Sequence, residues 1–223
     1  MSIKDNILNL IQNLPPQCKL VAVSKTQPVE RILEAYHAGQ RIFGENKVQE
    51  LAQKFDALPK DIEWHMIGHL QTNKVKYIAQ FVSLIHSVDS LKLLTEINKQ
   101  ALKAGRIISC LLQIHIGSEE TKFGFTADEV IHLITTGHIE LLTNIQIVGL
   151  MGMATFTDDE KKIREEFKTL KEIFDQLKSR TLPHNVNMRE LSMGMSNDYK
   201  IALQEGSTII RVGSGIFGER IYH

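Results

Sequence analysis

Eight short runs rich in apolar residues, at 20–24, 41–44, 62–67, 84–87, 107–114, 145–150, 188–192 and 208–212, recur from end to end of the chain. Between them lie amphipathic stretches of helical period, at 29–37, 47–55, 71–80, 90–103, 127–136, 160–178 and 196–204. An apolar run of this length buries both faces of a strand, and strands that alternate with helices pair in parallel. The pattern therefore predicts an α/β fold. Eight strand-then-helix units in 223 residues, slightly fewer than the about 250 typical of that fold, suggest a compact TIM-type (β/α)8 barrel. A doubly wound open sheet is the alternative. No Gly/Ser-rich linker and no internal repeat divides the chain, so residues 1–223 are read as a single domain.

Local signals agree with the helical assignments. Asp89 or Ser90 can cap the stretch that ends near Ala104, where Gly105 supplies a stop, and Asp128 lies in the first turn of another. Within 160–178, Ile163, Phe167, Leu170, Phe174 and Leu177 recur at spacings of three and four. This makes a core-facing stripe and leaves the charges on a solvated face.

The 26 basic residues balance 26 acidic ones, so no net positive field steers nucleic acid or an anionic membrane toward the chain. No stretch approaches the roughly 18 consecutive apolar residues of a membrane span. The N-terminal 16 residues include Asp5 and lack the apolar core of a secretory signal, which points to a cytoplasmic protein. Cys18 and Cys110 have neither metal-ligand nor disulfide-framework spacing, and both are expected to be reduced and buried.

In a barrel the working residues follow the C-terminal ends of the strands. After the first run comes Lys25, at once followed by Thr26, Gln27 and Pro28. An amine at the mouth of an apolar strand loses solvation, which favours the neutral, nucleophilic form; the competing reading is a lysine that closes a strand and extends to water. After the seventh and eighth runs come Ser192-Met193-Gly194-Met195-Ser196-Asn197-Asp198 and Gly213-Ser214-Gly215-Ile216-Phe217-Gly218. Together these resemble a phosphate cup, with glycines that admit an anion, hydroxyls from Ser196 and Ser214, and free N–H groups and a dipole at any helix that starts there. Each loop taken alone also fits an ordinary tight turn with a helix cap. Arg211, on the eighth run, is either a buried ion-pair partner or a permanent donor to a heterocyclic nitrogen. Asn46 can bond a ligand hydroxyl or cap the helix expected from Lys47, the more common use of Asn there.

Other patterns lead elsewhere. Residues 213–218 spell GxGxxG, but too little chain follows for the βαβ unit that a dinucleotide site needs. His65 and His69 have helical spacing, yet Gly68 disfavours a helix between them and no third ligand is evident. Met151, Met153, Met193 and Met195 read as adaptable core filler.

With these residues in view, the chain resembles the pyridoxal phosphate homeostasis protein family almost end to end. The segments that carry the likeness are AVSKTQP at 22–28, FGENKVQE at 43–50, WHMIGHLQTNK at 64–74, KFGF at 122–125, GLMGMA at 149–154, ELSMGMSNDYKIA at 190–202 and GSTIIRVGSGIFGER at 206–220. The resemblance implies a fold-type III barrel similar to the N-terminal domain of alanine racemase, with pyridoxal 5'-phosphate as cofactor. It implies Lys25 as the Schiff-base lysine, Asn46 beside the cofactor ring, and Ser196, Gly213 and Ser214 at the phosphate. Arg211 would face the pyridine nitrogen. His69, where many relatives have proline, and the Ser214-Gly215 pair depart from the family's usual pattern. The implied role is reversible binding, with buffering or delivery of the cofactor to PLP-dependent apoenzymes and without turnover; the short chain is itself read as a monomer.

The alternative is an amino-acid racemase. It needs an acid/base on each face of the cofactor, and Lys25 serves only one. In alanine racemase a tyrosine from a second domain of the partner subunit serves the other. A barrel binding some other phosphorylated metabolite, with Lys25 only neutralising charge, is the third possibility.

Overall fold

A computed structural model describes residues 2–117 and 123–218. Of the residues singled out above, Lys122, Glu219 and Arg220 lie outside the described ones. Eight strands close into a parallel barrel in sequence order: β1 (Lys19–Val23), β2 (Ile42–Glu45), β3 (Glu63–Met66), β4 (Leu84–Val88), β5 (Ile108–Gln113), β6 (Ile145–Met151), β7 (Val186–Met195) and β8 (Ile209–Val212). Closure is made by β1 against β8, with Leu20 opposite Ile210 and Ala22 opposite Val212. The doubly wound alternative is thereby excluded, because such a sheet leaves two open edges.

Each strand points alternate residues inward and outward. Leu20, Ala22, Phe43, Trp64, Met66, Ile85 and Leu112 face out and join the main core beneath the helices. Val21, Leu84, Leu111, Val148, Met151 and Ile209, all strand residues, form a separate cluster inside the barrel.

The surrounding helices are α1 (Ile3–Gln12), α2 (Val29–His37), α3 (Val48–Ala57), α4 (Leu91–Lys103), α5 (Ala127–Thr135), α6 (Glu160–Lys178), α7 (Tyr199–Gln204) and α8 (Ser214–Phe217). Ser90 caps α4, its hydroxyl accepting the Leu93 N–H, and Gly105 past its end has φ +64°. All five stripe residues expected of α6 are buried.

Several expectations are corrected. The stretch 71–80 forms only a 3₁₀ helix at Thr72–Tyr77, because its buried residues Val75, Ile78 and Ala79 make a stripe of a single turn, too short to hold a longer helix. α7 begins at Tyr199 instead of 196 because β7 runs on to Met195, whose N–H is then taken by the Asp198 carboxylate. The N-terminal segment, in which no helix was expected, is α1. Its signals were Ser2 and Asp5 in a capping box and Ile3, Ile7 and Leu10 on one face. Cys18 is only half-buried, whereas Cys110 is buried as expected; both are free thiols.

Phe167 of α6 is fully buried against the barrel. Phe167→Ala is expected to lower the unfolding free energy by about 3–5 kcal/mol. Urea denaturation with an unchanged slope is the measurement; a loss below about 1 kcal/mol would contradict this packing.

Candidate functional site

A cavity of about 650 Å³ opens at the rim formed by the C-terminal strand ends. Its walls include all six residues singled out from the sequence, Lys25, Asn46, Ser196, Arg211, Gly213 and Ser214. Residues at 153–158 from the loop after β6, Met195 at the end of β7 and Asp198 beyond it also line the cavity. The volume suits a small organic ligand, such sites usually spanning ~300–1,000 Å³.

Lys25 is half-buried immediately past β1. Asn46 is half-buried past β2 and does not cap α3, which corrects the commoner of its two readings: the cap position is Lys47, without a side-chain bond. Its backbone is wedged against Gly68, where a β-carbon would lie 2.5 Å from the Asn46 carbonyl oxygen and 2.7 Å from its Cα. Only glycine lets the loop after β3 approach so closely.

The two loops of the expected cup meet. The Gly213 N–H donates to Ser196 Oγ at 3.2 Å, tying the β8 loop to the β7 loop. Gly194, at φ +94°, would place a β-carbon 2.6 Å from Ala202 Cβ, so its bare backbone is what lets α7 pack on the end of β7. The expected dipole contribution is corrected: α7 and α8 have six and four residues, too few aligned peptides for a strong macrodipole. The donors at the cup are instead hydroxyls and local N–H groups.

Arg211 is only 4% exposed. Its Nη1 donates to the carbonyl oxygen (3.0 Å) and hydroxyl of Ser192, and its Nη2 to the Gly152 carbonyl at 3.1 Å. Burial pulls its pKa down to about 10, with the Asp198 charge opposing the shift, so the guanidinium stays charged at neutral pH. The same burial raises the Asp198 carboxyl, offset by the Met195 N–H and by Arg211.

Behind Arg211 runs a buried chain that the sequence reading missed. His86 Nδ1 lies 2.9 Å from Ser192 Oγ, and His86 Nε2 lies 3.0 Å from His65 Nδ1. Arginine can only donate, so Ser192 Oγ accepts from it and keeps a proton and a second lone pair with which to meet His86 Nδ1. A single proton bridges His86 Nε2 and His65 Nδ1, so the tautomer of one ring dictates that of the other. Burial drives His65 down to about 3 and His86 well below 6.5, so both rings are neutral. The available signal was strand alternation, which turns His65 inward from β3, His86 from β4 and Ser192 from β7.

His69 instead faces Asp89, with Nδ1 3.1 Å from its carboxylate, so the His65/His69 spacing does not converge. Among the described residues no group of three or more His, Cys, Asp or Glu is placed to hold a metal, and no helix is long and apolar enough to cross a membrane. Met151 and Met193 are buried filler, whereas Met153 and Met195 line the cavity. A further residue missed from sequence is Glu166: this buried carboxylate of α6 accepts the Thr155 N–H at 2.6 Å and hydroxyl at 2.7 Å, and so fixes one cavity wall.

The family model for the alanine racemase N-terminal domain matches residues 1–221. A pyridoxal phosphate homeostasis protein from Aquifex aeolicus is 42% identical over 92% of this chain and 88% of its own length. The chain belongs to the pyridoxal phosphate homeostasis protein family. Another member of known structure, PipY from Synechococcus elongatus with PLP bound, superposes with a TM-score of 0.86 at 35% identity, covering 97% of this chain and all of that one. The family shares its barrel with alanine racemase: the enzyme from E. faecalis aligns with a TM-score of 0.73 at 16% identity over 98% of this chain but only 58% of its own. That likeness is one of fold alone.

The neutral histidines set an acid limit on stability. An unfolded histidine titrates near 6.5 and folded His65 near 3, so in between the unfolded chain binds a proton that the folded chain refuses. The stability contributed is full above pH 6.5 and is lost as pH falls toward 3, by up to ~1.4 kcal/mol per pH unit for each such histidine. Urea midpoints are expected to fall between pH 6.5 and 4.5, and less steeply in His65→Gln. Equal slopes in the two proteins would refute the assignment.

Proposed function

We propose that the chain binds pyridoxal 5'-phosphate in the rim cavity, anchors it covalently on Lys25, and buffers or delivers it in the cytoplasm to PLP-dependent apoenzymes without catalytic turnover. On this reading one barrel domain, residues 1–223, acts as a monomer. The observation that carries it is the meeting, in one cavity, of an amine, a buried permanent cation and a two-loop anion cup. Relatives named pyridoxal phosphate homeostasis protein, and PipY with PLP bound, support the choice of ligand.

The donor set fits the group. Lys25 supplies the amine, Asn46 a side-chain amide beside the ring, and Ser196 and Ser214 hydroxyl donors for the phosphate, while Gly213, its N–H held by Ser196 Oγ, lets the backbone come close to it. Arg211 is held by acceptors on its inner side, and a guanidinium offers a ring nitrogen a hydrogen bond without transferring a proton. Pyridoxal phosphate held there would supply an aldehyde as a reversible electrophile, for which the Lys25 amine would be the nucleophile, one water being released. An unprotonated ring is a poor electron sink, so Arg211 favours holding the cofactor over carbanion chemistry.

The wall composition supports the same choice. Among the described residues the cavity is lined by no tyrosine, histidine or cysteine. Its carboxylates are Asp158 and Glu160, which are exposed, and Asp198, which is committed to the Met195 N–H. A racemase would need a positioned second acid/base, which this set does not supply.

Adding pyridoxal phosphate is expected to produce a visible band that borohydride converts to a stable mass increment on the peptide containing Lys25. Lys25→Ala is expected to lose the increment and keep the circular dichroism and melting point, because Lys25 lies at a loop mouth. An increment on another lysine, or an unfolded variant, would count against the assignment. Amino acids incubated with the loaded protein in D2O are expected to retain their α-protons; exchange at rates of order 1 s⁻¹ or above would restore the racemase reading.

A further inference from the structure

The turn that carries Lys25 is held by a buried ionic network in which the functional reading has no part. Gln27 N–H donates to Ser24 O at 3.0 Å, closing a four-residue turn with Lys25 and Thr26 at its centre. Thr26 has φ +65°, a region that β-branched residues avoid and the one non-glycine position with positive φ among the described residues. Something outside the turn must therefore over-determine it.

That support comes from α3 and the end of β2. Lys54 Nζ lies 2.7 Å from Ser24 O, 2.7 Å from Glu45 Oε1 and 2.6 Å from Glu50 Oε1, which uses all three ammonium protons. Glu45 Oε1 also accepts the Ser24 hydroxyl at 2.6 Å, and Glu50 Oε1 accepts the Thr26 N–H at 2.6 Å. The Lys54 side chain is 7% exposed, that of Glu45 0% and that of Glu50 23%. The residues before and after Lys25 are thus pinned by the same ammonium and its two carboxylates.

We propose that Lys54, with Glu45 and Glu50, is the positioning device of Lys25: it fixes the strained turn so that the Lys25 amine is presented to the rim cavity in one orientation. The role of Lys25 itself rests on the reading given under Proposed function. A purely structural ion pair between α3 and β2 needs only the Lys54–Glu45 contact. The bond from Glu50 to the Thr26 backbone is what ties the pair to the turn.

Glu50 is the place to separate the two, because it is partly exposed and its removal leaves the buried Lys54–Glu45 pair intact. Two full-length variants, Glu50→Ala and Glu50→Gln, are compared with the parent. One readout is the pyridoxal phosphate concentration needed to half-saturate the borohydride-fixed increment on Lys25. The other, which needs no cofactor, is the rate at which trinitrobenzenesulfonate modifies Lys25, followed by peptide mass mapping. Losing one charge-assisted hydrogen bond to the turn is expected to weaken half-saturation about tenfold in Glu50→Ala and to change the modification rate at least about threefold, with the melting point moved by only a few degrees. Glu50→Gln, whose side-chain carbonyl still accepts the Thr26 N–H, is expected to recover most of both losses.

Parent-like values for Glu50→Ala in both assays would overturn the proposal. So would equal losses in the two variants that track a fall in melting point. If the parent itself fixes no cofactor, the functional reading fails, and the modification rates alone decide whether the network positions Lys25.

Discussion

The hydrogen bonding of β1 to β8 is the contact on which the rest of the molecule depends. Lys25 leaves the first strand and Arg211 sits on the last, and in an open sheet that kept sequence order those strands would be opposite edges. Closure makes them neighbours, with Val21 opposite Arg211. Because every pairing is parallel, all eight C-terminal ends also emerge at one rim, so the loops after β1, β2, β7 and β8 surround a single cavity. The constellation is thus a consequence of closure and strand direction, and no individual loop has to reach for another.

The barrel interior is divided between two kinds of packing. One part is an apolar layer of Val21, Leu84, Leu111, Val148, Met151 and Ile209, which needs no hydrogen-bond partners. The other is the Arg211–Ser192–His86–His65 chain, in which each polar group must find one. A lone buried guanidinium would be prohibitively costly. Here its protons meet two carbonyl oxygens and a hydroxyl, and the histidines that extend the chain add hydrogen bonds without adding charge. The result is a cation whose orientation is fixed from behind while it borders the cavity.

Legibility from sequence followed from how local each cause was. All eight strands were found because strand and helix alternate from end to end of the chain, and the six residues were found because five lie just past strand ends and Arg211 lies on the last strand. Phe167 and its companions on α6 were equally plain. What escaped depended on partners distant in sequence: His65, His86 and Ser192 are unremarkable singly, and Lys54 reads as one of many charges on an amphipathic helix. Asn46 was misjudged for a related reason. Its type favours capping, but close packing against Gly68 and the start of α3 at Val48 take its backbone out of the cap position. The residue roles that spacing alone left open, such as a reactive instead of a merely cationic Lys25, were implied only by the resemblance and stay part of the proposal.

A protein that holds a reactive aldehyde and later gives it up faces opposing demands, and on the proposed reading the two sides of the cavity divide them. Around β7 and β8 the donors are rigidly placed: Arg211 is buried and bonded from behind, and the Ser196–Gly213 bond ties two loops together. This side selects the ligand by charge and shape, and pre-organisation reduces the ordering cost of binding. Across the cavity the bond to Lys25 is covalent but reversible by water, or by another amine arriving through the open rim. A strained turn clamped by carboxylates keeps that lysine in reach at the moment of capture, without strengthening the bond that forms. Tight positioning combined with a labile bond is what distinguishes a carrier from a trap, since the first raises the rate of capture and the second preserves the route to release.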